Sequence, residues 1–195
     1  LRIQDQDLWR WEYPENDEFI EALSALPMTL EAWIEAYEAG IQRLIDQGRS
    51  IVRYRNSIVE SHASEYALAG LFPGPGGGFY VAPVISAPRM LRNHMAHALM
   101  RRYPDAPFSA VYVDLGDGRR EWSLRSGPDR VSVLEVAEVL GGGGHRDAAG
   151  CTEAYPGERI AILGGMEQFR HALTRTELRE IVPCSKREAC RVQTH

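Results

Sequence analysis

The sequence predicts an α/β protein: a mixed β-sheet flanked by helices, preceded by a long N-terminal connector helix. Three observations predict it. An apolar stripe of helical period runs from Leu30 to Val59. Beyond it, short runs rich in Val, Ile and Tyr alternate with further segments of helical period. Two of the runs turn back through tight glycine-containing turns, so the sheet combines hairpins with crossovers and is not purely parallel.

The elements follow in order. Leu1-Arg2-Ile3-Gln4-Asp5 reads as strand and loop, and residues 17–26 as a short helix capped by Asp17 and closed by Pro27. Thr29 caps the long helical pattern, in which Leu30, Tyr37, Leu44, Ile51 and Ile58 recur every seven residues. One helix over 30–62 would span roughly 50 Å. Such a length suits a spacer between two bodies; a homodimeric rod is the alternative, although Gly40 and Gly48 interrupt the seam. Residues 66–72 and 79–85 read as strands around Pro73-Gly74-Pro75-Gly76-Gly77-Gly78. A helix over 88–103 turns Leu91, Met95, Leu99 and Met100 inward. Strands over 109–115 and 120–125 meet at Gly116-Asp117-Gly118. A helix over 131–140 buries Val133, Val136, Ala137 and Leu140 and leaves Glu135 and Glu138 to water. After a glycine loop, Ala148 and Ala149 favour a short helical turn. A strand over 159–163, a helix over 166–181 and a loose basic tail over 183–195 complete the chain.

The 195 residues are 25% charged and 44% hydrophobic, with a formal net charge of −5, ordinary for a soluble globular protein. The acidic balance argues against a general duplex-DNA binder. No apolar run approaches the roughly 20 residues that span a bilayer. The three cysteines, Cys151, Cys184 and Cys190, have no framework spacing, which indicates a reducing, cytoplasmic setting.

The chemistry concentrates in Gly141-Gly142-Gly143-Gly144-His145-Arg146-Asp147-Ala148-Ala149-Gly150. Consecutive glycines offer nothing to a core and cost conformational entropy, so they mark close backbone approach or positive φ. Their N–H groups are expected to form an anion nest, with His145 donating to a phosphate, sugar or base atom and Ala149 packing the exit. Neither the P-loop pattern nor the dinucleotide fingerprint is present, because His145 stands where Lys is needed and the loop follows a helix. Upstream, Ser123-Leu124-Arg125-Ser126 puts Ser123 and Arg125 on one strand face, where the Arg125 fork suits phosphate. His94 and His97 stand three apart on a helix without accompanying ligands, so a solvated face is the plainer reading. Asn93 beside them is a candidate for the cleft. Trp9, Trp11 and Trp33 read as packing residues.

Ser123-Leu124-Arg125-Ser126 followed by the glycine-His-Ala-Ala-Gly motif resembles the C-terminal, DHH-associated domain of the DHH phosphoesterases. The likeness covers roughly residues 66–165. It implies substrate binding by Ser123, Arg125, Ser126, Gly141, Gly142, Gly143, Gly144, His145 and Ala149. The implied substrate is a short oligoribonucleotide or a small, including cyclic, nucleotide, cleaved in the intact enzyme with Mn2+. The segment Ile3-Gln4-Asp5-Gln6-Asp7-Leu8-Trp9 resembles the end of that family's catalytic domain. There Asp5 would match a manganese ligand, with Asp7 in reserve and a capping aspartate as the plainer alternative. No D-H-H triplet occurs in the chain. Residues 1–16 are thus expected to be the tail of a catalytic domain, 17–64 a connector, 65–182 the substrate domain and 183–195 a tail. Alone, the chain is expected to bind substrate without hydrolysing it. A more distant resemblance, to the C-terminal domain of alanyl-tRNA synthetases, leaves a non-catalytic RNA-binding module as the alternative.

Overall fold

The computed structural model describes residues 2–7, 12–156 and 159–166. The chain divides into two compact units, Leu1–Ile58 and Val59–His195. The expected helix over 166–181, the basic tail, Cys184, Cys190, Trp9 and Trp11 lie outside the described residues, apart from Met166 itself. None of the described helices is long and apolar enough to cross a membrane.

The first unit is helical: α1 (Arg2–Asp7), α2 (Asn16–Ser24), α3 (Leu30–Ala39) and the start of α4 (Ile41–Glu65). The opening read as strand and loop is therefore a helix, held by Asn16, whose side-chain amide donates to the Arg2 carbonyl (3.1 Å) and to Asp5 (3.2 Å). The single helix expected over 30–62 is two. Gly40 separates them at φ 87°, left-handed backbone that other residues adopt only at a cost. Thr29 caps α3 as expected, its hydroxyl accepting from the Ala32 N–H at 3.3 Å. Asp17 is not the cap of α2, which starts one residue earlier. Its carboxylate instead joins Glu21 in gripping Arg55 of α4, at 2.5 Å each. Arg55 is buried, and the two acids hold its guanidinium in the charged form against that burial.

The second unit carries a mixed sheet of seven described strands: β1 (Leu68–Pro73), β2 (Phe79–Ser86), β3 (Ser109–Asp114), β4 (Arg119–Arg125), β5 (Gly143–His145), β6 (Ala148–Ala154) and β7 (Ala161–Gly165). Their order is β5-β6-β4-β3-β2-β1-β7. Only β2 and β3 pair in parallel; α5 (Arg92–Arg102) carries the chain between them. The other pairings are antiparallel, so the mixed α/β class stands. The two alanines expected to extend a helical turn belong to β6. Their pairing with β4 and β5 overrides their helical preference.

Alternation along the strands sorts side chains between two cores. Val81, Ile85 and Val111 face the end of α4 and α5. Ala82, Val84, Ala110, Trp122, Leu124, Ala149 and Cys151 face α6 (Val133–Val139). Trp122 is the hub of the second core. Phe72 meets it edge-on at 5.5 Å, and its indole N–H donates to Glu153 at 2.8 Å. On the far edge of that side, Arg120 lies between the rings of Tyr112 (4.0 Å) and Tyr155 (4.3 Å) and pairs with Asp114. Replacing Trp122 with Ala removes the largest buried side chain and strands the Glu153 carboxylate; the expected loss is about 3–5 kcal/mol, read by chemical denaturation.

Candidate functional site

The face alternation that fills the α6 core leaves something open on the other side. Helix α5 packs over β2, β3 and the near part of β4, and beside it, over β4, β6 and β5, that face carries a cleft of about 470 Å³. Its floor can be read from the register. Ser123 pairs with Gly150 and Gly150 with Gly143, so one lateral row runs Ser123, Gly150, Gly143 across three strands. Paired residues point to the same side, so this row offers a hydroxyl and two bare backbones over roughly 10 Å. The next row runs Arg125, Ala148, His145, and on the other side Glu121 pairs with Thr152. A floor without large side chains lets a flat or bulky ligand approach the backbone closely.

The glycines reach this arrangement by a route the sequence reading did not foresee. The Gly141 N–H donates to Glu138 (2.9 Å) and the Gly142 N–H to Ala137 (2.8 Å), with Gly141 at φ 76°. This pair of bonds closes the C-terminus of α6 as a Schellman motif. The expected four-glycine anion nest is thereby corrected: two of its donors are spent on the helix end. Gly142 then passes so close to β6 that a Cβ there would lie 2.1 Å from the Gly150 carbonyl oxygen. Gly143 and Gly144 form the edge strand β5, and a Cβ on Gly143 would meet nothing within 4 Å.

Arg125 stands at the cleft with unusual needs. It donates to the Leu124 carbonyl (2.9 Å) and to the Asn93 side-chain oxygen (2.8 Å), while its Nε–H is buried with no partner among the described residues. Asn93 therefore acts on the cleft by aiming Arg125. Burial first, then the Arg92 cation, push the Arg125 guanidinium below its usual value. No carboxylate pairs with it among the described residues. An incoming anion would relieve both the desolvation and the repulsion. Arg92 lines the same cleft but is already held by Glu121 at 3.3 Å, and Arg89 grips the same carboxylate. Burial, then Arg101, Arg125 and His94, push the His97 imidazole down, so its neutral form persists to lower pH.

The remaining expected site residues are placed as follows. Ser123 and Gly141 to Gly144 line the cleft, as does Ala149 through β6. His145 shares the Arg125 row but is exposed beyond the cleft wall. Ser126 does not line it. Its hydroxyl donates to the Val131 carbonyl at 2.6 Å, closing the turn into α6. Arg92, Glu121 and Thr152 were missed. Arg92 was read only as a helix residue, and Glu121 and Thr152 sit at alternating strand positions whose facing becomes clear only with the register.

Among the described residues, the cleft is lined by cations, a serine hydroxyl and bare backbone, and no group of metal ligands lies there. Cys151 lies in the α6 core beneath the floor, and burial, reinforced by Glu153, pushes its thiol up to about 12, so it is no thiolate at neutral pH. Asp5 is 2% exposed and both its oxygens are engaged, one by the Glu12 N–H (2.9 Å), the other by Asn16. Among the described residues no group of three or more His, Cys, Asp or Glu could hold a metal ion. Both Asp5 oxygens are thus engaged within the first unit, accepting from Glu12 and Asn16.

Two outcomes separate scaffold from surface. Gly142→Ala should destabilise the second unit by roughly 2 kcal/mol or more, because backbone on β6 must move. Gly143→Ala should melt like the wild type within about 0.5 kcal/mol. Cys151 carries a second test. Its unfolded thiol ionises from about 8.5, well before the folded one. Its contribution is therefore complete below that pH and is lost as pH rises toward 12. Unfolding free energy should fall above pH 9 by up to about 1.4 kcal/mol per pH unit, with a smaller slope in Cys151→Ala, measured by denaturant titration.

No protein-family model matches the chain. It is 26% identical over 176 residues to the uncharacterized protein R106 of Acanthamoeba polyphaga mimivirus, covering 86% of this chain and 41% of that protein. The chain thus spans well under half the length of this relative. Among solved structures, the pGpG-specific phosphodiesterase PggH from Vibrio cholerae aligns with a TM-score of 0.40 at 13% identity, over 71% of this chain and 43% of that one. An uncharacterized protein from Helicobacter pylori G27 aligns with a TM-score of 0.36 at 16% identity, over 86% and 45%. Likenesses this low carry no argument about the chain, whose functional reading rests on the cleft itself.

Proposed function

We propose that the second unit binds a small phosphodiester or nucleotide in the cleft over β4, β6 and β5, as the substrate-holding part of a metal-dependent phosphodiesterase. The substrates would be short oligoribonucleotides or small, including cyclic, nucleotides. One observation carries the reading: Arg125, a half-buried guanidinium with no counter-charge among the described residues, stands beside a floor built from Ser123, Gly150 and Gly143. The cation supplies the phosphate contact. The bare floor admits a sugar or base against the backbone, and the Ser123 hydroxyl offers one directional hydrogen bond. The resemblance of the glycine-His-Ala-Ala-Gly segment to the DHH-associated domain supports the same class of ligand. Chemistry on phosphorus would need metals that the described residues do not hold, so in this reading the chain grips and another part cuts.

The test is equilibrium binding of a 5′-phosphorylated diribonucleotide, a cyclic mononucleotide and tRNA to the full chain. Nucleotide affinity should fall with salt, and Arg125→Ala should weaken it by about 1.5–3 kcal/mol, a tenfold to hundredfold loss. Gly143→Ala, which leaves the fold intact, should weaken it as well. Nucleotide binding indifferent to both substitutions would remove the cleft from consideration, and tight tRNA binding without nucleotide binding would favour the RNA-module alternative.

A further inference from the structure

Charge is spread unevenly along the cleft. Residues two apart on one face of a strand stand roughly 7 Å from each other. Glu121 therefore lies about 14 Å along β4 from Arg125, with Ser123 between them. At the Glu121 end three charged groups meet. The carboxylate gives one oxygen to each of two arginines: Oε2 accepts from Arg89, and Oε1 accepts from Arg92 at 3.3 Å. These two contacts differ in kind. The Arg89 side chain is 63% exposed and does not line the cleft, so it holds the carboxylate from outside. Arg92 does line the cleft. Its contact with Glu121, at 3.3 Å, is longer than the roughly 2.7–3.2 Å of an ordinary N–H···O bond.

Arg92 is also near enough to Arg125 for its charge to push that guanidinium down. Among the described residues, three guanidiniums thus meet one carboxylate. An anion entering the cleft finds more cation than the fold has answered. Glu121 can yield Arg92 at small cost, because Arg89 stays behind to neutralise it. We infer that Arg92 is a second anion contact of the cleft, held in reserve by Glu121 and released to the ligand because Arg89 keeps that carboxylate occupied. Arg89 is then a positioning residue, acting on a ligand it does not touch. Glu121 is the restraint that sets how strongly the cleft answers an anion. The inference rests on the cleft binding an anion, as proposed above, but does not require that anion to be a nucleotide.

The experiment is calorimetric titration of the full chain with two probes, the 5′-phosphorylated diribonucleotide and inorganic phosphate, on single and paired variants. Arg92→Ala should weaken both probes about tenfold. Glu121→Gln should tighten both about two- to fivefold, and Arg89→Ala should weaken both by about the same factor, the worth of an exposed ion pair. Arg89→Lys, which keeps the cation, should stay within about twofold of the wild type. Long-range charge alone would move affinity in the same directions, so the paired variants decide. The gain from Glu121→Gln should vanish in the Arg92→Ala background, and the loss from Arg89→Ala should vanish in the Glu121→Gln background. Effects that persist undiminished in those backgrounds overturn the inference. So does weaker binding by Glu121→Gln, which would make Glu121 itself a ligand contact. Phosphate binding with these couplings, and no diribonucleotide binding, would keep the inference and remove the nucleotide reading. Diribonucleotide binding that needs Arg125 but lacks the couplings would do the reverse. Binding of neither probe overturns both.

Discussion

The second unit depends on a contact that has no room for a side chain. At the end of α6 the backbone must close the helix, reverse, and lay a new strand against β6 within three residues. Gly142 makes this possible by passing almost on top of Gly150 and Cys151. With a Cβ there, β5 could not reach its register. The cleft floor would lose its third strand, and α6 its tie to the sheet. The helix cap, the edge strand and the floor are consequences of one close approach, and the hydrogen bonds of Gly141 and Gly142 secure it from the helix side.

Around that contact the charged groups show two different economies. In the first unit Arg55 is buried but fully answered by Asp17 and Glu21, so it ties α2 to α4 and asks nothing of a ligand. Arg120 is likewise answered, by Asp114 and two tyrosine rings. Arg125 differs: its partners among the described residues are a backbone carbonyl and an amide oxygen, both neutral, and its Nε–H has none. The same residue type is neutralised within the fold in two places and faces the cleft in the third. Burial does not separate these roles; the identity of the partner does.

Much of this was legible in the sequence, and the failures have physical causes. The strands over 66–72, 79–85, 109–115 and 120–125 were readable because β-branched and aromatic runs sat between glycine turns, and the structure keeps them within two residues. The helix over 30–62 was misread because periodicity continues through Gly40 while backbone dihedrals do not. The hairpin of β5 and β6 was misread because Ala and Gly carry no strand preference, and pairing with β4 decides their conformation. For the cleft, Ser123 and Arg125 share a face by simple alternation. The contribution of Arg92 and Glu121 depends on which strand lies beside which helix end, a long-range fact that no local pattern encodes. Ser126 shows the converse: a polar residue next to a motif, spent entirely on its own turn.

The alternation along β4 has a further consequence, for how this chain can change over time. Trp122 and Leu124 look one way, Ser123 and Arg125 the other. Losing or gaining a single residue within this stretch would exchange the two sets, driving a guanidinium among Phe72, Phe108 and the α6 valines and setting a leucine over the glycine floor. Changes of two residues would preserve the parity, and changes of any length at the Gly116–Gly118 tip would leave it untouched. Length variation among descendants of this sequence should therefore accumulate at the hairpin tips and be odd-numbered nowhere along β4.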